Sequence, residues 1–138
     1  MHDVSVLVEL GAPVRLCKGA YNEPASVAFQ ARGEVDANFV RLMKMLLDGG
    51  VPTAIASHDA RMIDATLAYA AKTGIPEDAF EIQMLYGVRR DYQRQLIDNG
   101  LGLRIYLPYG SQWYSYFMRR MAERPANLLF VARAALGD

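Results

Sequence analysis

The sequence predicts an α/β domain in which parallel strands are joined by crossover helices. Three observations carry this. Short apolar runs alternate with longer stretches of helical periodicity. Glycine or proline punctuates the junctions. Strand starts recur about every 25–40 residues, the length that a strand–helix–strand unit needs.

In chain order, residues 3–10 read as the end of a helix, with Val4, Leu7, Val8 and Leu10 as its apolar stripe and Gly11 as its stop. Residues 13–18 form a short strand closed by Gly19. Val35, Phe39, Leu42, Met43, Leu46 and Leu47 then recur at helical spacing, and Asp48-Gly49-Gly50 ends that helix. Residues 52–57 read as a buried strand reaching His58. Residues 60–72 form a helix with Met62, Ile63, Leu67 and Ala70 inward, broken by Gly74 and Pro76. Residues 80–84 are a third strand, 89–98 a helix ending at Asn99-Gly100, and 103–107 a fourth strand broken by Pro108 and Gly110. Two further helices are expected at 113–122 and 127–136. A flavodoxin-like open sheet and part of a (β/α)₈ barrel both satisfy this order. Periodicity does not choose between them.

Length and composition narrow the function. The 138 residues suit one domain, and 52% apolar content is enough to fill a core. Lys plus Arg equals Asp plus Glu at 15 each, so the basic surplus that nucleic-acid binding needs is missing. Cys17 is the single cysteine, so no internal disulfide forms. It reads as a small buried hydrophobe. The Met-His-Asp-Val start is not a secretory signal, and no apolar run is long enough to span a membrane. The expectation is a soluble cytoplasmic domain. With His2 and His58 as its only histidines and no Cys/His cluster, no metal site is expected.

Parallel α/β folds bind ligands at the C-terminal ends of their strands. Here those ends carry Arg15, Lys18-Gly19-Ala20-Tyr21, Ser57-His58-Asp59, residues 83–87 and residues 106–110. Arg15 lies within a strand, so it either meets an electron-rich ligand atom or pairs with a core carboxylate such as Glu81. Lys18-Gly19-Ala20 suits an anion through its charge and its approachable backbone, or is an ordinary turn. His58 reads as a ligand contact or as a structural hydrogen-bonder. Arg119 and Arg120 follow Trp113, Tyr114 and Tyr116 on one helix. They can grip a carboxylate from two directions, or form a solvated helix end paired with Glu123. Met43, Met45, Met118 and Met121 read as core filler.

Five strings in order resemble the proline dehydrogenase family. They are Arg15-Leu16-Cys17-Lys18-Gly19-Ala20-Tyr21-Asn22-Glu23-Pro24, Ala56-Ser57-His58-Asp59, the run from Phe80 to Arg89 (FEIQMLYGVR), the run from Arg104 to Gly110 (RIYLPYG), and the run from Tyr116 to Asn127 (YFMRRMAERPAN). The departures are small: Cys17 stands where the family has valine, and Ser57 replaces threonine but keeps the hydroxyl.

The resemblance implies a (β/α)₈ barrel of which this chain is the second half, strands five to eight, as a single domain over 1–138. It implies FAD as cofactor and oxidation of L-proline to Δ1-pyrroline-5-carboxylate. On this likeness Arg15 contacts the flavin near its reactive nitrogen, and Lys18, Gly19 and Ala20 form an FAD-binding turn. Ser57 and His58 make a second FAD contact. Arg119 and Arg120 hold the proline carboxylate, with Tyr106 and Tyr116 as pocket walls. A quinone or similar acceptor, and contact with a membrane surface, are also implied. The family's first-half strands have no counterpart in these strings. The expected alternative is therefore a non-catalytic half-barrel that self-associates or pairs with a separate first half.

Overall fold

A computed structural model of the chain describes residues 2–19, 23–107 and 109–111. Among the described residues four helices and four strands alternate: α1 (His2–Glu9), β1 (Val14–Cys17), α2 (Arg32–Asp48), β2 (Thr53–Ala56), α3 (Ala60–Thr73), β3 (Phe80–Leu85), α4 (Arg90–Asp98) and β4 (Leu103–Tyr106). A single turn of 3₁₀ helix at Glu77–Ala79 precedes β3. Three residues carry no period, so the sequence gives no sign of it. The helices expected at 113–122 and 127–136 lie outside the described residues.

The strands form one parallel sheet in the order β1-β2-β3-β4, with Leu16 opposite Ile55, Ile55 opposite Ile82, and Met84 opposite Ile105. This order separates the two folds that periodicity left open. A flavodoxin-like sheet reverses its winding and places helices on both faces. Here every strand lies beside its neighbour in sequence, and right-handed crossovers then put all the helices on one face, as in a barrel wall.

Strand alternation sorts the side chains. Leu16, Ile55, Phe80, Ile82 and Met84 point to the helices and join Phe39, Met43, Leu46, Met62, Ile63 and Ala70 in the core. Ile55, Ile63, Ile82 and Met84 are fully buried, each contributing roughly 1.5–3 kcal/mol of transfer free energy. Thr66 joins them by donating its hydroxyl to the Met62 carbonyl one turn back, at 2.8 Å. Val4 and Val8 pack from α1 onto this core, but Leu10 falls past the helix end and is 73% exposed, so it is not part of the stripe. No helix among the described residues is long and apolar enough to cross a membrane.

Cys17 is exposed, against the expectation of a buried residue. It alternates out of phase with Leu16 and so lies on the face without helices.

Candidate functional site

The helix-free face carries the polar groups. Register places Arg15 level with Ala54 and Glu81, and Cys17 level with Ala56, Gln83 and Arg104. In-register residues of parallel strands share a face, so Arg15, Glu81, Gln83, Arg104 and Tyr106 meet there. Ala54 and Ala56 matter by being small. Arg15 on β1 must cross β2, a span of about 10 Å for two inter-strand spacings. It does so and donates from Nε to Gln83 Oε1 at 2.8 Å. Its guanidinium also lies 4.6 Å from the centroid of the Tyr106 ring.

The Tyr106 hydroxyl donates to the same Gln83 oxygen, and Gln83 Nε2 donates to Glu81. Arg104 grips both Glu81 oxygens, from Nε and Nη2, each at 2.8 Å. That bidentate hydrogen bonding holds the Glu81 carboxyl below its usual range, so the group is ionised. Glu81 thus pairs with Arg104, and Arg15 goes to Gln83 instead. Among the described residues of this hydrogen-bonded group, two guanidiniums share one carboxylate.

Lys18, just beyond β1, is held between Asp36 of α2 and Asp59, whose Oδ2 lies 2.8 Å from Nζ. Asp59 also caps α3 by accepting from the Arg61 backbone N–H at 3.1 Å. Arg61 bonds both carboxylates as well, at 2.9 Å to Asp36 and 2.6 Å to Asp59. The Arg61 hydrogen bonds, then Lys18, pull the Asp59 pKa far below the ordinary value; Lys18 lowers that of Asp36. Two cations against two carboxylates make this cluster neutral. An ammonium has three N–H donors, and two of those of Lys18 are used here. Gly19 adopts φ +73° with open space where a side chain would stand, so its backbone is approachable.

Ser57 is buried, and its Oγ accepts from the Asp59 N–H at 3.1 Å, fixing the turn out of β2. His58 Nε2 accepts from the Leu85 N–H at 2.8 Å. Burial first, and then the nearby Arg89 charge, push the His58 pKa down, so the ring is neutral with its proton on Nδ1. Arg89 straps the two loops together. It donates to the His58 carbonyl at 2.9 Å, stacks 4.4 Å from the Tyr92 ring centroid, and holds a left-handed φ of +50° that a non-glycine residue rarely adopts.

The structure therefore gathers Arg15 with Tyr106 on the sheet face, and Lys18, Gly19, Ser57 and His58 at the C-terminal strand ends. Ala20, Tyr116, Arg119 and Arg120 lie outside the described residues. Among the described residues, no group of three or more His, Cys, Asp or Glu side chains could hold a metal ion. Sequence reasoning gave no role to Gln83, Arg104, Asp36 or Arg89. For Gln83 and Arg104 a signal exists: both share strand parity with Glu81 and Tyr106.

The sequence model of the family described as proline dehydrogenase matches residues 8–133. Proline dehydrogenase of Deinococcus radiodurans is 48% identical over 134 residues, which is 97% of this chain and 43% of that protein. Proline dehydrogenase 2 of Bacillus subtilis strain 168 is 48% identical over 128 residues, 93% of this chain and 42% of that protein. The chain thus spans less than half the length of these curated relatives. A crystal structure of proline utilization A (PutA) from Bdellovibrio bacteriovorus, inactivated by N-propargylglycine, superposes with a TM-score of 0.79 at 33% identity, covering 88% of this chain and 15% of that one. On these matches, the chain belongs to the proline dehydrogenase family.

Proposed function

We propose that this chain supplies strands five to eight of an FAD-dependent proline dehydrogenase barrel, as one domain over 1–138, and takes part in oxidising L-proline to Δ1-pyrroline-5-carboxylate. The observation that carries the reading is Arg15. A guanidinium projects from mid-strand onto the helix-free sheet face, and among the described residues its Nε is held by a neutral amide. No carboxylate of a described residue neutralises it.

That geometry fits a flavin. FAD, when bound, would supply the acceptor for the hydride that carries both electrons of proline oxidation, the ring nitrogen losing a proton. Arg15 then lends fixed positive charge where negative charge develops, without reorganising. Ser57, His58, Gly19 and Ala20 hold the rest of the cofactor. Gly19 offers approachable backbone. Lys18 fits less well as a phosphate clamp, because two carboxylates already neutralise it; its remaining donor orients rather than attracts. Tyr106 and Tyr116 wall the substrate pocket, and Arg119 and Arg120 grip the proline carboxylate. A quinone serves as the final acceptor, at a membrane surface to which a cytoplasmic protein comes only peripherally. The test is equilibrium binding of FAD to the purified chain, with Arg15→Met as control: saturable binding weakened by the substitution supports the reading, and no binding by the parent counts against it.

A second reading has its own observation. β1 pairs only with β2 and β4 only with β3 among the described residues, and the helix-free sheet face between them is exposed at Cys17 and Arg104. Two open parallel edges favour association. In that reading the chain is a non-catalytic half-barrel that self-associates or joins a separate first half. Sedimentation of the chain alone separates the two: FAD-independent oligomers without flavin binding favour the second.

A further inference from the structure

We propose that Gln83 is a positioning residue that fixes Arg15 and Tyr106 relative to one another, and that the Glu81–Arg104 pair fixes Gln83 in turn. The inference rests on the functional reading above for its consequence in catalysis, but its geometry stands without it.

A glutamine amide can flip end for end, because its oxygen and nitrogen occupy similar space. At Gln83 both ends are locked by groups that can play only one part. Arg15 Nε has a hydrogen and no lone pair to offer, so the atom it meets at 2.8 Å must be the oxygen. Glu81, ionised in the grip of Arg104, can only accept, so the atom it meets must be the nitrogen. Polarity therefore runs in one direction, from Arg104 through Glu81 to the Gln83 amide. The amide oxygen then takes two donors at once, Arg15 and the Tyr106 hydroxyl. Gln83 is only 7% exposed, so water does not replace a bond that is lost.

Two consequences follow. Arg15, a side chain with four rotatable bonds crossing an intervening strand, is held in one rotamer without its charge being cancelled. A carboxylate at position 83 would hold it as well but would neutralise it. Tyr106, whose hydroxyl hydrogen is directed to Gln83, meets any ligand as an acceptor. It would thus favour a ligand that carries an N–H beside its reacting carbon, as a cyclic secondary amine does.

The experiment compares the parent chain with Gln83→Met and Tyr106→Phe. In the flavin-free proteins, nitrogen-15 NMR follows exchange of the Arg15 Nε–H with water. The proposal expects slow exchange in the parent and in Tyr106→Phe, and fast exchange in Gln83→Met. With FAD and L-proline, it expects Gln83→Met to lower kcat/KM by about ten- to a hundredfold, the usual cost of removing a partner that orients a functional side chain. Bound flavin should also become harder to reduce. Unchanged Arg15 exchange in Gln83→Met overturns the proposal, as does an unchanged kcat/KM despite faster exchange. If Gln83→Met does not fold, position 81 gives the same test: Glu81→Met speeds the exchange, and Glu81→Gln, whose carbonyl still accepts, restores it. A parent that binds no FAD defeats the functional reading while the exchange data still decide the network.

Discussion

The backbone N–H of Leu85 donates to His58 Nε2 at 2.8 Å, tying the end of β3 to the loop after β2 through a neutral imidazole. Protonating His58 would put a hydrogen where the acceptor must be. Its pKa is lowered in the folded chain, by burial first and then by Arg89. The unfolded chain therefore binds the proton more readily. This contribution to stability is complete above the unfolded value, about 6.5, and is lost as pH falls through that value toward the folded one. Melting temperature should fall as pH drops below about 6.5, and His58→Gln should flatten that limb. The same slope in His58→Gln would exclude His58 as its source.

A second acid limb belongs to Asp36 and Asp59. Both are depressed in the folded state, Asp36 chiefly by the Lys18 hydrogen bond and Asp59 chiefly by that of Arg61. Their contribution is present above the unfolded carboxylate value and is lost as pH falls below about 4. Asp59 also caps α3. Asp59→Ala should cost about 1–2 kcal/mol at neutral pH through the cap alone. Asp59→Asn should keep the cap and lose the share of the acid limb that Asp59 carries. Urea titrations at pH 7 and pH 3.5 check both.

Gly49 closes α2 beneath α1. A Cβ there would lie 2.5 Å from Val8 Cγ1, although the backbone, at φ −74°, would accept any residue. The obstacle is space, not strain. Gly49→Ala should destabilise by about 1–3 kcal/mol, and Val8→Ala in the same chain should recover most of it. Additive losses in the double variant would show that the two do not touch.

Ile82 is fully buried at the centre of the sheet, between Ile55 and Leu103 in register. Ile82→Ala should cost about 2–5 kcal/mol, and Ile82→Val about 0.5–1.5. Unfolding of both by denaturant, with an unchanged dependence on denaturant concentration, checks that the loss is cavity formation.

Much of this architecture was legible before any coordinates, because it rests on local signals. The four strands, α3 and α4 lie within a residue or two of where apolar periodicity puts them, and α2 starts three residues before its first apolar position at Val35; Gly49, Gly74 and Gly100 mark the helix ends chemically. Strand order was not legible: a βα unit has the same local pattern whether the next strand is laid on one side or the other. The pairing of Glu81 with Arg104, rather than with Arg15, depends on register across 23 residues, which no local spacing encodes. Cys17 misled for a related reason. A short apolar residue in a strand reads as buried until alternation against Leu16 shows which face it occupies. Among the proposed site residues, the strand-end positions followed from the general rule for parallel sheets. The role of Gln83 did not, because an amide between two strands looks like any polar strand residue until its partners are in place.

The central claim is that Arg15 faces a flavin that proline reduces. The most direct measurement is the visible spectrum of the chain with FAD under anaerobic conditions, before and after L-proline, with Arg15→Met alongside. Bound flavin bands should bleach with L-proline in the parent and persist in Arg15→Met. Bound flavin that L-proline leaves unchanged in the parent, or equal bleaching in both proteins, would contradict the claim.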